Sequence, residues 1–115
     1  MNLAIVGSRT FDNYTLLSES IKNLQDFDLI ENIITGGAKG ADSLAARFAA
    51  GHSIECIELL PDWRHYGRGA GLVRNKQIIS LCDLCIAFWD GQSKGTKADI
   101  ALCEKMGKPC LVVSF

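Results

Sequence analysis

The sequence predicts an α/β fold, with a parallel sheet of about five strands and helices on both sides. Three observations carry that expectation. Short apolar runs at residues 3–6, 32–35, 84–88 and 110–113, with a more polar one at 53–59, have the length and β-branched character of strands. Helix-forming segments at 14–24, 42–50 and 72–81, and another ending near Met106, lie between them. Strands that alternate with helices fold as crossover units, which pair in parallel and place helices over both faces.

Taken in order, Leu3-Ala4-Ile5-Val6 is apolar without alternation, the pattern of a strand covered on both faces, and it ends at Gly7. Tyr14, Leu17, Ile21 and Leu24 recur at helical spacing. Ile33, Ile34 and Thr35 close the second strand, and the Ala-rich run after Ala41 forms the second helix, ended by Gly51. Residues 53–59 alternate and keep a polar face, which suits a strand at the sheet edge. Residues 60–71, with Trp63, Tyr66 and three glycines, follow neither period and are expected to form a long ordered loop. A helix at 72–81, a strand at 84–88 and a helix closed by Gly107 follow. Pro109 blocks continuation, and Cys110–Val113 make the last strand.

A chain of 115 residues supports one core and not two, so residues 1–115 are expected to form a single domain. The net charge of −1 lacks the basic footprint of a general nucleic-acid binder, and nucleic acid is not expected as a partner. No apolar run approaches the roughly 20 residues of a membrane span, and the N-terminus lacks the charged start of a signal peptide. A cytoplasmic protein without membrane contact is therefore expected. The five cysteines, 56, 82, 85, 103 and 110, suit reduced and mostly buried thiols. Cys82 and Cys85 make a lone CxxC with no second pair and no nearby His, so packing is expected there rather than a metal.

Functional residues cluster where strands end. In a parallel sheet the turns after Gly7, Thr35 and Phe88 emerge on one edge, so their polar residues converge although they are far apart in sequence. Gly7, Ser8 and Arg9 bring a hydroxyl and a guanidinium to that edge. Gly36, Gly37, Ala38 and Gly40, with Ala41 and Asp42, form a glycine-rich turn into a helix. Its free amides and dipole suit a phosphate, although a sharp connection capped by Asp42 accounts for the same residues. Asp90, Ser93, Gly95 and Thr96 make a second such turn. Arg74 and Asn75 fall early in a helix, the wrong end of the dipole for a cation. Either an anionic ligand or a salt bridge offsets that cost. Trp63 and Tyr66 can stack on a base or fold over the core.

Five ordered blocks resemble the YspA-type branch of the YpsA-related SLOG family, within the SMF/DprA–Lonely Guy superfamily. They are Val6-Gly7-Ser8-Arg9; Thr35 to Ala45; Asp62-Trp63 with Tyr66-Gly67; Ala70-Gly71 with Arg74-Asn75; and Phe88 to Gly91 with Ser93 to Thr96. The resemblance implies a Rossmann-like three-layer domain that binds a nucleotide or nucleotide-derived ligand, such as ADP-ribose, NAD or a nucleoside phosphate. It also implies a homodimer. Gly7, Ser8 and Arg9 would line the pocket, Gly36 to Asp42 would cradle a phosphate, and Ser93, Gly95 and Thr96 would make a second phosphate contact. Asp62 and Trp63 enter the site by the same resemblance. No cofactor and no metal are implied.

The Lonely Guy phosphoribohydrolases cleave the N-glycosidic bond of nucleoside monophosphates with a helical Arg and the Glu of a Gly-Thr-x-x-Glu motif. Here Arg74 stands in a similar Arg-Asn-Lys helix, and Gly95-Thr96-Lys97-Ala98-Asp99 carries Asp in place of Glu. The shorter carboxylate displaces the reacting oxygen by about 1 Å, a shift that can lose on the order of 10²-fold in rate. The competing reading of Asp99 is a solvated residue near a helix N-terminus. The expected function is thus a nucleotide-derivative binding module. A phosphoribohydrolase with Arg74 and Asp99 as catalytic residues is the alternative, and an Smf-like role on single-stranded DNA comes third.

Overall fold

The computed structural model describes residues 1–115. Its elements are β1 (Asn2–Gly7), α1 (Tyr14–Lys22), β2 (Asn32–Thr35), α2 (Ala41–Gly51), β3 (Glu55–Glu58), α3 (Trp63–Tyr66), α4 (Ala70–Leu81), β4 (Leu84–Trp89), α5 (Lys94–Lys105) and β5 (Cys110–Ser114), with 3₁₀ turns at Phe27–Leu29 and Gly67–Gly69. All four strand pairings are parallel, and the five strands lie in the order β3-β2-β1-β4-β5. The chain moves outward from β1 through β2 to β3, then returns to the other flank of β1. The loops that follow β1 and β4 leave in opposite directions, and this opens a crevice at the carboxyl edge of the sheet.

Alternation along the strands divides the core. Leu3 and Ile5 of β1, Ile33 of β2 and Phe88 of β4 pack with Leu17 and Ile21 of α1 and Ala45 and Phe48 of α2. Their neighbours Ala4, Val6, Ile34 and Ala87 pack on the opposite face with Ile78 and Ile79 of α4 and Cys103 of α5. Neither face of the central strands admits water, which is why their sequences are apolar without a period of two. The polar β3 occupies one edge, as its alternation implies. At the other edge the cover is incomplete, and Leu111 and Val112 of β5 are exposed.

Two expectations about local structure are corrected. The first helix ends at Lys22, before Leu24, because Asn23 already serves as its C-cap. Residues 60–71 are not a loop throughout: α3, a 3₁₀ turn and the start of α4 occupy most of them. The side chain of Asp62 caps α3 by accepting from the His65 amide at 3.1 Å, and Gly67, with φ of 57°, ends it. A helix of one turn is too short to leave a periodic trace.

Candidate functional site

The turn after β1 is built first. The Ser8 amide donates to Phe88 O at 3.0 Å, and the Phe11 amide returns to Ser8 O at 3.1 Å. Phe11 is buried and stacks on Phe88 with ring centroids 4.6 Å apart, which pins the turn across the β1–β4 crevice. Ser8 is only 3% exposed, yet its Oγ has no hydrogen-bond partner. A buried hydroxyl left unpaired costs about 1–3 kcal/mol. Arg9 is exposed and makes no ion pair; the chain's single salt bridge joins the N-terminus to Glu31.

The glycine-rich turn behaves differently from the expected phosphate cradle. Oδ2 of Asp42 accepts from the amides of Gly36 at 3.1 Å and Ala38 at 3.2 Å, and the Gly37 amide reaches Thr35 Oγ1 at 3.4 Å. These amides already have an acceptor, the carboxyl of Asp42. Burial raises the Asp42 carboxyl above its ordinary range, while the Ala38 and Gly36 amides and the nearby Arg74 oppose the shift. Gly40, with φ of 77°, sits in a conformation that favours glycine, and a Cβ there would press on the Arg9 backbone at 2.7 Å.

The turn after β4 is held by another carboxylate. Asp90 Oδ1 accepts from the amides of Ser93 at 2.7 Å and Gln92 at 2.9 Å, bonds that keep this carboxyl below its usual range. The nearby Ser8 hydroxyl favours the charged form as well, but the pair misses hydrogen-bonding geometry. Ser93 then caps α5, accepting from the Thr96 amide at 3.4 Å. The Lys94 and Gly95 amides belong to the first turn of α5 and have no intrahelical acceptor. A Cβ at Gly95 would meet nothing within 4 Å.

Arg74 reaches in from α4. Its Nη1 donates to Gly36 O at 2.8 Å and more weakly to Leu59 O at 3.4 Å, while Nε donates to Asn75 Oδ1 at 2.7 Å. Backbone carbonyls, not an acidic side chain, hold this cation. Asp99 projects from the second turn of α5 and is 8% exposed, so it is not the solvated helix residue of the competing reading. Burial pushes its pKa up to about 7, the Asp42 carboxylate adds to the rise, and Arg74 pulls the other way.

These parts enclose one cleft of about 510 Å³. Of the residues singled out from the sequence, Gly7, Ser8, Arg9, Gly36, Ala38, Asp42, Arg74, Asn75, Asp90, Ser93, Gly95, Thr96 and Asp99 line it. Gly37, Gly40, Ala41, Asp62 and Trp63 do not line it. Gly37 turns toward Leu60 and Glu58, Gly40 packs under Ser8 and Arg9, Ala41 packs against Gly7, and Asp62 is spent on capping α3. Thr10, Val6 and Ile78 complete the wall without having been anticipated. Ile78 lies one helical turn from Arg74, a spacing that could have drawn it in.

A parallel sheet with a polar cleft at its switch point defines a Rossmann-like ligand-binding module. The chain belongs to the YspA, cpYpsA-related SLOG family, whose model matches residues 1–66. It is 32% identical to the Gene 61 protein of Mycobacterium phage D29 over 96% of this chain and 93% of that one. Among solved structures it resembles DNA processing protein A from Helicobacter pylori, with a TM-score of 0.73 and 24% identity over 97% of this chain. It also resembles DNA processing protein A from Streptococcus pneumoniae, with a TM-score of 0.59 and 18% identity over 96% of this chain. The chain spans 64% and 58% of the lengths of those two proteins.

One expectation falls with this comparison. Net charge alone argues against nucleic acid, yet the Helicobacter pylori protein that shares the fold has a single-stranded DNA binding mode. Net charge averages over the whole surface and does not report a local patch. Here Arg64 and Arg68 lie beside exposed Trp63 and Tyr66. No helix is long and apolar enough to cross a membrane.

Proposed function

We propose that the cleft binds a nucleotide-derived ligand, with a phosphate at the mouth of α5 and the sugar directed toward Asp42, Arg74 and Asp99. The observation that carries this reading is that unpaired donors share one cleft. Ser8, whose Oγ has no partner, Arg9 and the first turn of α5 at Gly95 all line it, together with the carboxyls of Asp42, Asp90 and Asp99. Helix amides and a guanidinium recognise phosphate oxygens; carboxylates accept from ribose hydroxyls. Thermal unfolding with ADP-ribose, NAD or AMP tests the reading. Ligand at a hundred times its dissociation constant should stabilise the protein by about 2.7 kcal/mol. No shift with any of the three refutes it.

A second reading is favoured by Asp99. A buried acid with a pKa of about 7 is partly protonated at neutrality, which suits a proton donor to a departing base. In a phosphoribohydrolase, water would add to C1′ as the N-glycosidic bond of AMP breaks, giving adenine and ribose 5-phosphate. Incubation with nucleoside monophosphates and analysis for those products decides it.

Single-stranded DNA is tested by salt-dependent binding, with Trp63→Ala as the diagnostic variant, because base stacking on an aromatic ring contributes about 1–3 kcal/mol. Exposed Leu111, Val112 and Phe115 at the β5 edge support the homodimer, which equilibrium sedimentation would detect. The free thiols fit a reducing compartment such as the cytoplasm.

A further inference from the structure

We propose that Cys85, Cys103 and Cys110 form a site for a soft, thiophilic d¹⁰ cation coordinated by three sulfurs. The three thiols come from separate elements, β4, α5 and the first residue of β5, and their sulfurs all lie within 4.8 Å of one another. A metal–sulfur bond of about 2.3 Å places ligand sulfurs about 3.8–4.0 Å apart, so the group closes around an ion with a shift of about 1 Å or less.

The backbone fixes this arrangement. Cys85 and Cys110 are register partners on adjacent parallel strands. The turn between Cys103 and Cys110 is held by the Lys108 amide, which donates to Cys103 O at 2.9 Å. Pro109 O accepts from the Cys85 amide at 3.0 Å, and Lys108 Nζ donates to Cys82 O at 2.8 Å.

The donor set selects the ion. It contains neither carboxylate nor imidazole, which excludes the oxygen-seeking cations, and thiolates favour soft metals. Cys82, the other cysteine of the CxxC, is not among the three: its Sγ is occupied by Ile79 O at 3.2 Å. A closed zinc site wants four ligands, whereas Cys85 and Cys103 are fully buried among Ala4, Val6, Ile79 and Ala87. Such a pocket supplies three sulfurs and little water, the environment of a three-coordinate soft ion. Cys110, half-buried on the edge strand, is the route of entry. Binding transfers the thiol protons to solvent as the metal–sulfur bonds form. The packing expected of the CxxC holds for Cys82, while Cys85 joins two partners remote in sequence.

The test is an anaerobic titration of the full chain, freshly reduced and desalted, with Cd(II) and separately with Cu(I), read by sulfur-to-metal charge-transfer absorption. One equivalent should saturate the band. Cys110→Ser, at the half-exposed position, should weaken binding at least tenfold, as should Cys103→Ala. Cys56→Ala, outside the group, should leave it unchanged. Circular dichroism confirms that each variant is folded, and Cys110→Ser alone suffices should the buried variant fail to fold. No saturable band at one equivalent, or equal affinity of wild type and Cys110→Ser, overturns the proposal. An equal loss in Cys56→Ala does so too.

Discussion

Asp99→Asn should stabilise the protein at pH 8 and change little at pH 4. In the folded chain this carboxyl titrates near 7, against 3.8 for its ordinary value, chiefly because it is buried. The unfolded chain releases the proton near pH 4 and the folded chain keeps it until about 7. Over that window the unfolded state binds fewer protons, and stability falls as pH rises. A difference of about 3 units at 1.36 kcal/mol each amounts to about 4 kcal/mol, complete above pH 7. Asparagine has the same shape and no charge to desolvate. With an unfolding entropy of about 2.1 cal/mol/K per residue, the chain loses about 0.24 kcal/mol per degree, so the upper limit is a gain of about 17 °C. Thermal unfolding of both proteins at pH 4, 6 and 8 measures it. A gap that does not widen with pH, or a variant less stable at pH 8, would refute the argument.

Other substitutions probe the cleft wall. In Gly36→Ala the new Cβ would lie 2.5 Å from Arg74 Nη1 and 2.9 Å from Cζ, so the guanidinium must leave Gly36 O. Affinity for AMP or ADP-ribose, read by calorimetry, should fall at least tenfold in a protein that still folds. Asp42→Ala strips the Gly36 and Ala38 amides of their acceptor and should cost about 2–6 kcal/mol in urea unfolding, since each unpaired amide costs about 1–3 kcal/mol. Ser93→Ala removes the cap of α5 and should cost about 1 kcal/mol of stability together with weaker phosphate binding.

The fold was legible because the central strands are covered on both faces and their apolar runs are bounded by glycine and polar turns. The helices of α3 and Phe27–Leu29 escaped because one turn leaves no period. The cleft wall was legible wherever a residue lay directly after a strand, since parallel topology alone brings Ser8, Gly36 and Ser93 to one edge. The use of each amide was not legible. Whether Gly36 N faces a ligand or Asp42 depends on a rotamer six residues away, and the sequence supports either. The meeting of Cys85 with Cys103 and Cys110 was equally hidden, because it depends on β5 lying beside β4 and not on spacing.

The two buried acids should also report on each other. Asp42 carboxylate is the second cause of the high pKa of Asp99, after burial, and both acids line the same cleft. Asp42→Asn keeps an oxygen that can accept from Gly36 and Ala38 while it removes the charge. In that background Asp99 should titrate lower, and the gain from Asp99→Asn at pH 8 should shrink. A double-mutant cycle at pH 8 isolates the coupling, which for groups in one network typically reaches 0.5–3 kcal/mol. At pH 4, where Asp99 is largely protonated in the folded chain, the coupling should vanish. A full Asp99→Asn gain in the Asp42→Asn background would mean that burial alone sets the pKa. The glycine-rich turn would then hold Asp42 for its hydrogen bonds and not for its charge.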